Sequence, residues 1–127
     1  MAVMTEPTPD AVAQMLDGGP ALWLASGEPG PVAGDVGVVL ETSGSTGRPQ
    51  RVALTRAQLR AAAEAGRRAH GFDATWHLAL PAHYVAGLMV LVRGVLGRGV
   101  RECGSDLADL APAPGRNCLS IVPTQLI

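Results

Sequence analysis

Two short extended runs, Val36-Gly-Val-Val-Leu40 and Arg51-Val-Ala-Leu-Thr55, flank the stretch Glu41-Thr-Ser-Gly-Ser-Thr-Gly-Arg-Pro-Gln50, and this pairing constrains the chain more than any other feature. It predicts two strands joined as a hairpin, not a strand-to-helix turn. The connection holds Thr42, Ser43, Gly44, Ser45, Thr46 and Gly47, which is four hydroxyls and two glycines in six residues. The backbone can therefore bend tightly and turn several N–H and O–H donors toward one anion. A triphosphate is the natural occupant. The order is not a Walker loop, which needs Gly-x4-Gly-Lys-Ser/Thr, because Pro49 stands five residues beyond Gly44 and no lysine follows. It is not a Rossmann fingerprint either, since no third glycine follows Gly44 and Gly47 at the required spacing. A Ser/Gly-rich turn that merely links two strands is the other reading of this composition.

Around the hairpin, strand and helix signals alternate. Thr8 as cap, Pro9 at the first helical position, Asp10 at the positive end and Gly18-Gly19 as terminator predict a helix over residues 8–17, with Val12, Met15 and Leu16 as its apolar face. Residues 21–25 read as a strand and residues 26–35 as a Gly/Pro-rich loop. Thr55-Arg-Ala-Gln58 is a capping box that opens a helix running to His70 and ending at Gly71. Its residues Leu59, Ala62, Ala63, Gly66 and Ala69 form a small-residue face suited to close packing on a sheet. Strands over residues 76–80, 100–103 and 118–122 and an apolar helix over residues 85–96 complete an α/β layer pattern.

The charge pattern excludes several classes. The formal net charge is −1, and all ten basic residues are arginines scattered along the chain, so no basic stripe points to nucleic acid. Hydrophobic residues make up 47%, enough for a packed core, and aromatics only 3%, so that core is built of Leu, Val and Ala. Residues 85–92, the longest apolar run, are too few to span a bilayer. The first residues have neither a basic nor an apolar signal region, and a cytoplasmic protein is expected. Cys103 and Cys118 lack any partner motif and predict neither a disulfide nor a zinc site.

A second constellation, Leu80-Pro-Ala-His-Tyr-Val-Ala-Gly87, stands at the carboxyl end of a predicted strand, where α/β sheets place their ligands. His83 and Tyr84 bring an imidazole and a phenol to that edge, and Gly87 admits close approach of backbone or substrate. Taken alone, such a pair in a turn is more often a surface or packing feature than a site.

The motif Thr42-Ser-Gly-Ser-Thr-Gly-Arg-Pro49 resembles the nucleotide loop of the adenylate-forming superfamily, which contains acyl-CoA synthetases, luciferases and peptide-synthetase adenylation domains. Residues 81–87 resemble that superfamily's Pro-Leu-Phe-His-x-x-Gly segment, with His83 at the aromatic position and Tyr84 where histidine is common. With Ser120-Ile-Val-Pro-Thr-Gln-Leu126, the blocks look like the 2-succinylbenzoate-CoA ligases of menaquinone biosynthesis in a compact actinobacterial form. The resemblance covers residues 36–127, while residues 1–35 form a lead-in helix and strand without a motif. It implies the first part of an adenylation domain of layered sheets with flanking helices, truncated before its end. It also implies ATP-dependent activation of a carboxylic acid to an acyl-adenylate and transfer to coenzyme A, with Mg²⁺ on the phosphates. Thr42, Ser43, Gly44, Ser45, Thr46, Gly47 and Gln50 would hold the phosphates, and His83, Tyr84 and Gly87 would border the acyl pocket. Another acyl- or aryl-CoA synthetase, an adenylation domain and a noncatalytic nucleotide-binding remnant are the alternatives.

Two departures qualify the resemblance. The family pattern has lysine after the proline where this chain has Gln50, so the loop loses a positive charge and Arg48 and Arg51 supply the nearest ones. The family's Tyr-Gly-x-Thr-Glu segment, ribose aspartate and catalytic lysine have no counterpart in these residues. The chain also ends on Leu126-Ile127 without cap or turn residue, which reads as the N-terminal piece of a longer protein. No catalytic residue and no metal ligand are assigned, and the isolated piece is expected to be inactive.

Overall fold

Helix α1 (Pro9–Leu16) begins where its sequence predicts, because extended Thr8 turns its hydroxyl to accept from the Ala11 N–H at 3.1 Å. Ala11, Val12, Met15 and Leu16 form its buried face. The computed structural model describes residues 3–43, 47–122 and 125. The last turn of α1 carries no basic residue of its own. Its open carbonyls are met from outside: Arg56 Nε donates to Met15 O at 2.6 Å and Arg60 to Leu16 O at 3.0 Å. Two guanidiniums thus satisfy the negative end of the helix.

After α1, strand β1 (Leu22–Trp23) pairs in parallel with β2 (Val36–Ser43), and β2 pairs in antiparallel with β3 (Pro49–Thr55). The order β1-β2-β3 puts β2 in the centre. That explains its unbroken apolar run, since Val38, Val39 and Leu40 are all buried on a strand covered on both faces. Edge strand β3 is mostly exposed, and Pro49 is tolerated there as its first residue.

The capping box predicted at Thr55 is present in full: Gln58 N donates to Thr55 Oγ1 at 3.1 Å, and Thr55 N donates to Gln58 Oε1 at 2.9 Å. It opens α2 (Arg56–His70), which ends at Gly71. The small-residue face of α2 is narrower than expected. Leu59 and Ala63 are buried against α3, β2 and β3, the elements α2 packs on, whereas Ala62 and Ala69 are exposed.

A second sheet follows. Strand β4 (Thr75–Leu78) is flanked by β5 (Val100–Glu102) and β6 (Asn117–Leu119), all parallel, in the order β5-β4-β6. Helix α3 (Val85–Leu96) makes the crossover from β4 to β5. Seven of its twelve residues are buried, from Gly87 through Val92 and again at Gly94. A helix apolar on nearly every side must be enclosed, and α1, α2 and β4 all pack on α3. Leu88 and Leu91 join Val12, Met15, Leu22, Val38, Leu40 and Leu59 in one core. Each such side chain contributes about 1.5–3 kcal/mol by leaving water.

Candidate functional site

The hairpin stands as the sequence predicts. The β2 and β3 ladder runs to Thr42↔Gln50 and Ser43↔Pro49, so the side chains of Thr42 and Gln50 stand across from each other, both exposed. Gly47 returns the chain at φ +77, a left-handed conformation that glycine adopts without strain. Arg48 is exposed beside it. Gly44, Ser45 and Thr46, together with the Ser43 side chain, lie outside the described residues.

Near its loop end the hairpin is clasped from the segment that follows β1. Glu41 Oε1 accepts from Ser26 N at 3.0 Å and from Ser26 Oγ at 2.6 Å. These bonds, with the nearby Arg51 charge, pull the Glu41 carboxyl below its ordinary value against a smaller opposing effect of desolvation. Arg51, the cross-strand partner of Glu41, donates to Ser26 O at 3.2 Å and lies over the Trp23 ring at 5.0 Å. Arg51 is therefore engaged at the base of the loop and does not make up for the missing lysine. Arg48 is the cation beside the tip. No spacing in the sequence announces the clasp, because Ser26 lies fifteen residues from Glu41.

The turn after β4 carries the second constellation. His83 and Tyr84 are exposed, Tyr84 by 64%, and Tyr84 is the extended N-cap of α3 without a side-chain capping bond. Gly87 is buried for a different reason than substrate access. A Cβ there would run into the Pro81 carbonyl and stand 2.9 Å from Ala82 Cα, so glycine lets the first turn of α3 rest on the turn's backbone. Gln125 holds the same region: its amide nitrogen donates to Ala79 O and to Ser105 O, each at 2.8 Å, while its oxygen accepts from Val122 N. The block containing Gln125 entered the sequence argument only through resemblance, and its physical task emerges from this contact.

The two constellations stand on different sheets, and among the described residues no hydrogen bond or ion pair joins them. No group of three His, Cys, Asp or Glu among the described residues could hold a metal ion. Cys103 and Cys118 are free thiols. No described helix is long and apolar enough to cross a membrane. Among the described residues, the hairpin can offer the Thr42 hydroxyl, the Gln50 amide and the exposed Arg48 guanidinium to an anion, and the turn can offer an imidazole and a phenol to a neighbouring group.

No protein-family model matches the chain. A probable 2-succinylbenzoate--CoA ligase from Mycobacterium tuberculosis, the same in strains CDC 1551 / Oshkosh and H37Rv, is 39% identical over 102 residues, covering 72% of this chain and 27% of the relative. Among solved structures, an acyl-CoA synthetase (AMP-forming)/AMP-acid ligase II-like protein from Dyadobacter fermentans is 38% identical and superposes with a TM-score of 0.54. That match covers 69% of this chain and 27% of the other. The chain thus spans about a quarter of the length of the relatives it matches.

Proposed function

This chain is homologous to part of the AMP-forming acyl-CoA synthetases, and on that premise we propose that it supplies the ATP-phosphate loop and one border of the acid site in an acid-CoA ligase. The substrate in this reading is 2-succinylbenzoate, the pathway menaquinone biosynthesis and the compartment the cytoplasm. The acid's carboxylate oxygen attacks the α-phosphorus of ATP, the bond to the β-phosphate oxygen breaks, and pyrophosphate leaves. The coenzyme A thiol then attacks the acyl carbon, AMP leaves and a thioester remains.

The observation that carries the reading is the hairpin, with Thr42 opposite Gln50 and Gly47 returning the chain in a left-handed conformation. Hydroxyls of Thr42, Ser43, Ser45 and Thr46, the backbone at Gly44 and Gly47 and the Gln50 amide would donate to the β- and γ-phosphates. Preorganised donors of this kind stabilise charge during the transfer without reorganising. Magnesium would be held by the nucleotide itself. Glu41, the carboxylate at the hairpin, is engaged with Ser26, and no group of three His, Cys, Asp or Glu among the described residues could hold the ion. His83 and Tyr84 would border the acid, with Gly87 seating the helix behind them.

The deciding assay is exchange of labelled pyrophosphate into ATP by a protein that contains this segment together with the remaining length of its relatives. Exchange that depends on 2-succinylbenzoate is expected, and preference for another acid would refute the substrate. The 127-residue chain alone is expected to show no exchange. In the longer protein, Gln50→Lys should lower the apparent KM for ATP, because an ammonium adds Coulombic attraction that an amide lacks. An unchanged or higher KM would refute the role given to Gln50.

A further inference from the structure

A cavity of about 350 Å³ lies between α2, α3 and the start of β4, at the end of β4 opposite the His83 turn. Its walls combine apolar surface from Phe72, Trp76 and Leu96 with the guanidinium of Arg93, and Cys118 opens into it. Arg93 is the one charged residue on an otherwise apolar α3. Its guanidinium carbon stands 5.3 Å from the Trp76 ring centre, and its Nε lies against α2, where a Cβ at Gly66 would come to 3.6 Å. That Nε is shut off from solvent and has no hydrogen-bond partner among the described residues.

The carboxylates in the cavity wall do not neutralise it. Glu64 is held by Arg67 at 2.6 Å and by Arg68 at 3.3 Å, and Asp73 faces Arg67 at 4.0 Å. Arg60, also on the wall, faces Asp17 at 3.7 Å. Arg93 forms no ion pair among the described residues. A buried N–H without a partner is unfavourable, and a guanidinium is a forked donor that matches a carboxylate. The volume is at the lower end of the range for small-molecule sites, about 300–1,000 Å³.

We propose that this cavity binds a small aromatic carboxylate, its carboxylate on Arg93 and its ring against Phe72, Trp76 and Leu96. The site is separate from the acid site of the proposed reaction and does not depend on it. Cys118 reports occupancy. Burial raises its thiol pKa and the Arg93 charge opposes that rise, so a bound carboxylate both covers the thiol and cancels the charge that helps it ionise.

The test is the rate of iodoacetamide alkylation at Cys118 in this chain, read by peptide mass spectrometry, with Cys103 outside the cavity as internal control. Benzoate at millimolar concentration is expected to slow Cys118 several-fold and leave Cys103 unchanged, while benzamide and inorganic phosphate have little effect. Arg93→Met should abolish the protection. The proposal is overturned if benzoate gives no protection, if benzamide protects equally, if phosphate protects equally or if protection survives in folded Arg93→Met. Should that variant fail to fold, the benzoate and benzamide comparison on the unaltered chain decides alone.

Discussion

The hairpin of residues 36–55 and the turn of residues 79–87 carry the two parts of the proposed site, and they are held in different ways. The hairpin is built by neighbours in sequence: a ladder from Val36↔Thr55 to Ser43↔Pro49, clasped near its loop end by Ser26 on Glu41. The turn has few local bonds. Tyr84 N reaches Pro81 O only at 3.5 Å, and the firmer supports are α3 pressed on its backbone at Gly87 and Gln125 reaching Ala79 from 46 residues away. Damage to packing should therefore undo the turn before the hairpin, whereas loss of the single Ser26 side-chain bond near the hairpin's loop end should leave its ladder intact.

The strongest way to break this contrast is Gly87→Ala. Alanine favours a helix over glycine by about 1 kcal/mol, but here its Cβ meets the Pro81 carbonyl, and backbone cannot give way as a side chain can. Overpacking of this sort costs about 1–3 kcal/mol. A net loss of stability in urea unfolding is expected, and a gain would mean that α3 does not rest on the turn.

A smaller effect is expected from Gln125→Ala, about 1 kcal/mol for a bonding group removed from partly buried carbonyls. Hydrogen exchange should accelerate in residues 79–84 and stay unchanged in residues 36–55. Equal acceleration in both would show that the two regions share one support.

The smallest effect concerns Glu41 and depends on pH. Its folded carboxyl titrates below the ordinary 4.5 chiefly because Ser26 donates to the charged form. The stabilisation is therefore complete above that value and is lost as the pH falls through the lowered one. Thermal melts between about pH 6 and about pH 3 should show Ser26→Ala with a weaker acid dependence than the parent chain, its hairpin still formed. Identical pH profiles would refute the clasp.

Much of this architecture could be read from residue order. Thr8, Thr55 and Gln58 cap their helices as their types demand, and Gly71 ends α2. The hairpin followed from two apolar runs about a Gly/Ser/Thr stretch, and the span of α3 from a hydrophobicity that only Arg93 interrupts. These features are legible because each depends on contacts within a few residues. For Thr42 through Gly47, composition left a phosphate loop and a plain turn both open, and the functional reading rests on the resemblance of their order to a known nucleotide loop.

Other features belong to contacts between distant segments. That Arg51 stacks on Trp23 instead of serving the loop, that Arg56 and Arg60 cover the open carbonyls of α1, that Gly87 answers to Pro81, and that Arg93 faces a cavity without a counter-ion among the described residues all require two elements to meet. Local propensity dictates which segments become helices and strands, because backbone hydrogen bonding and capping are short-ranged. Which charge finds a partner, and which is left facing a cavity, depends on how those segments pack, and packing follows from the burial of apolar surface across the whole chain.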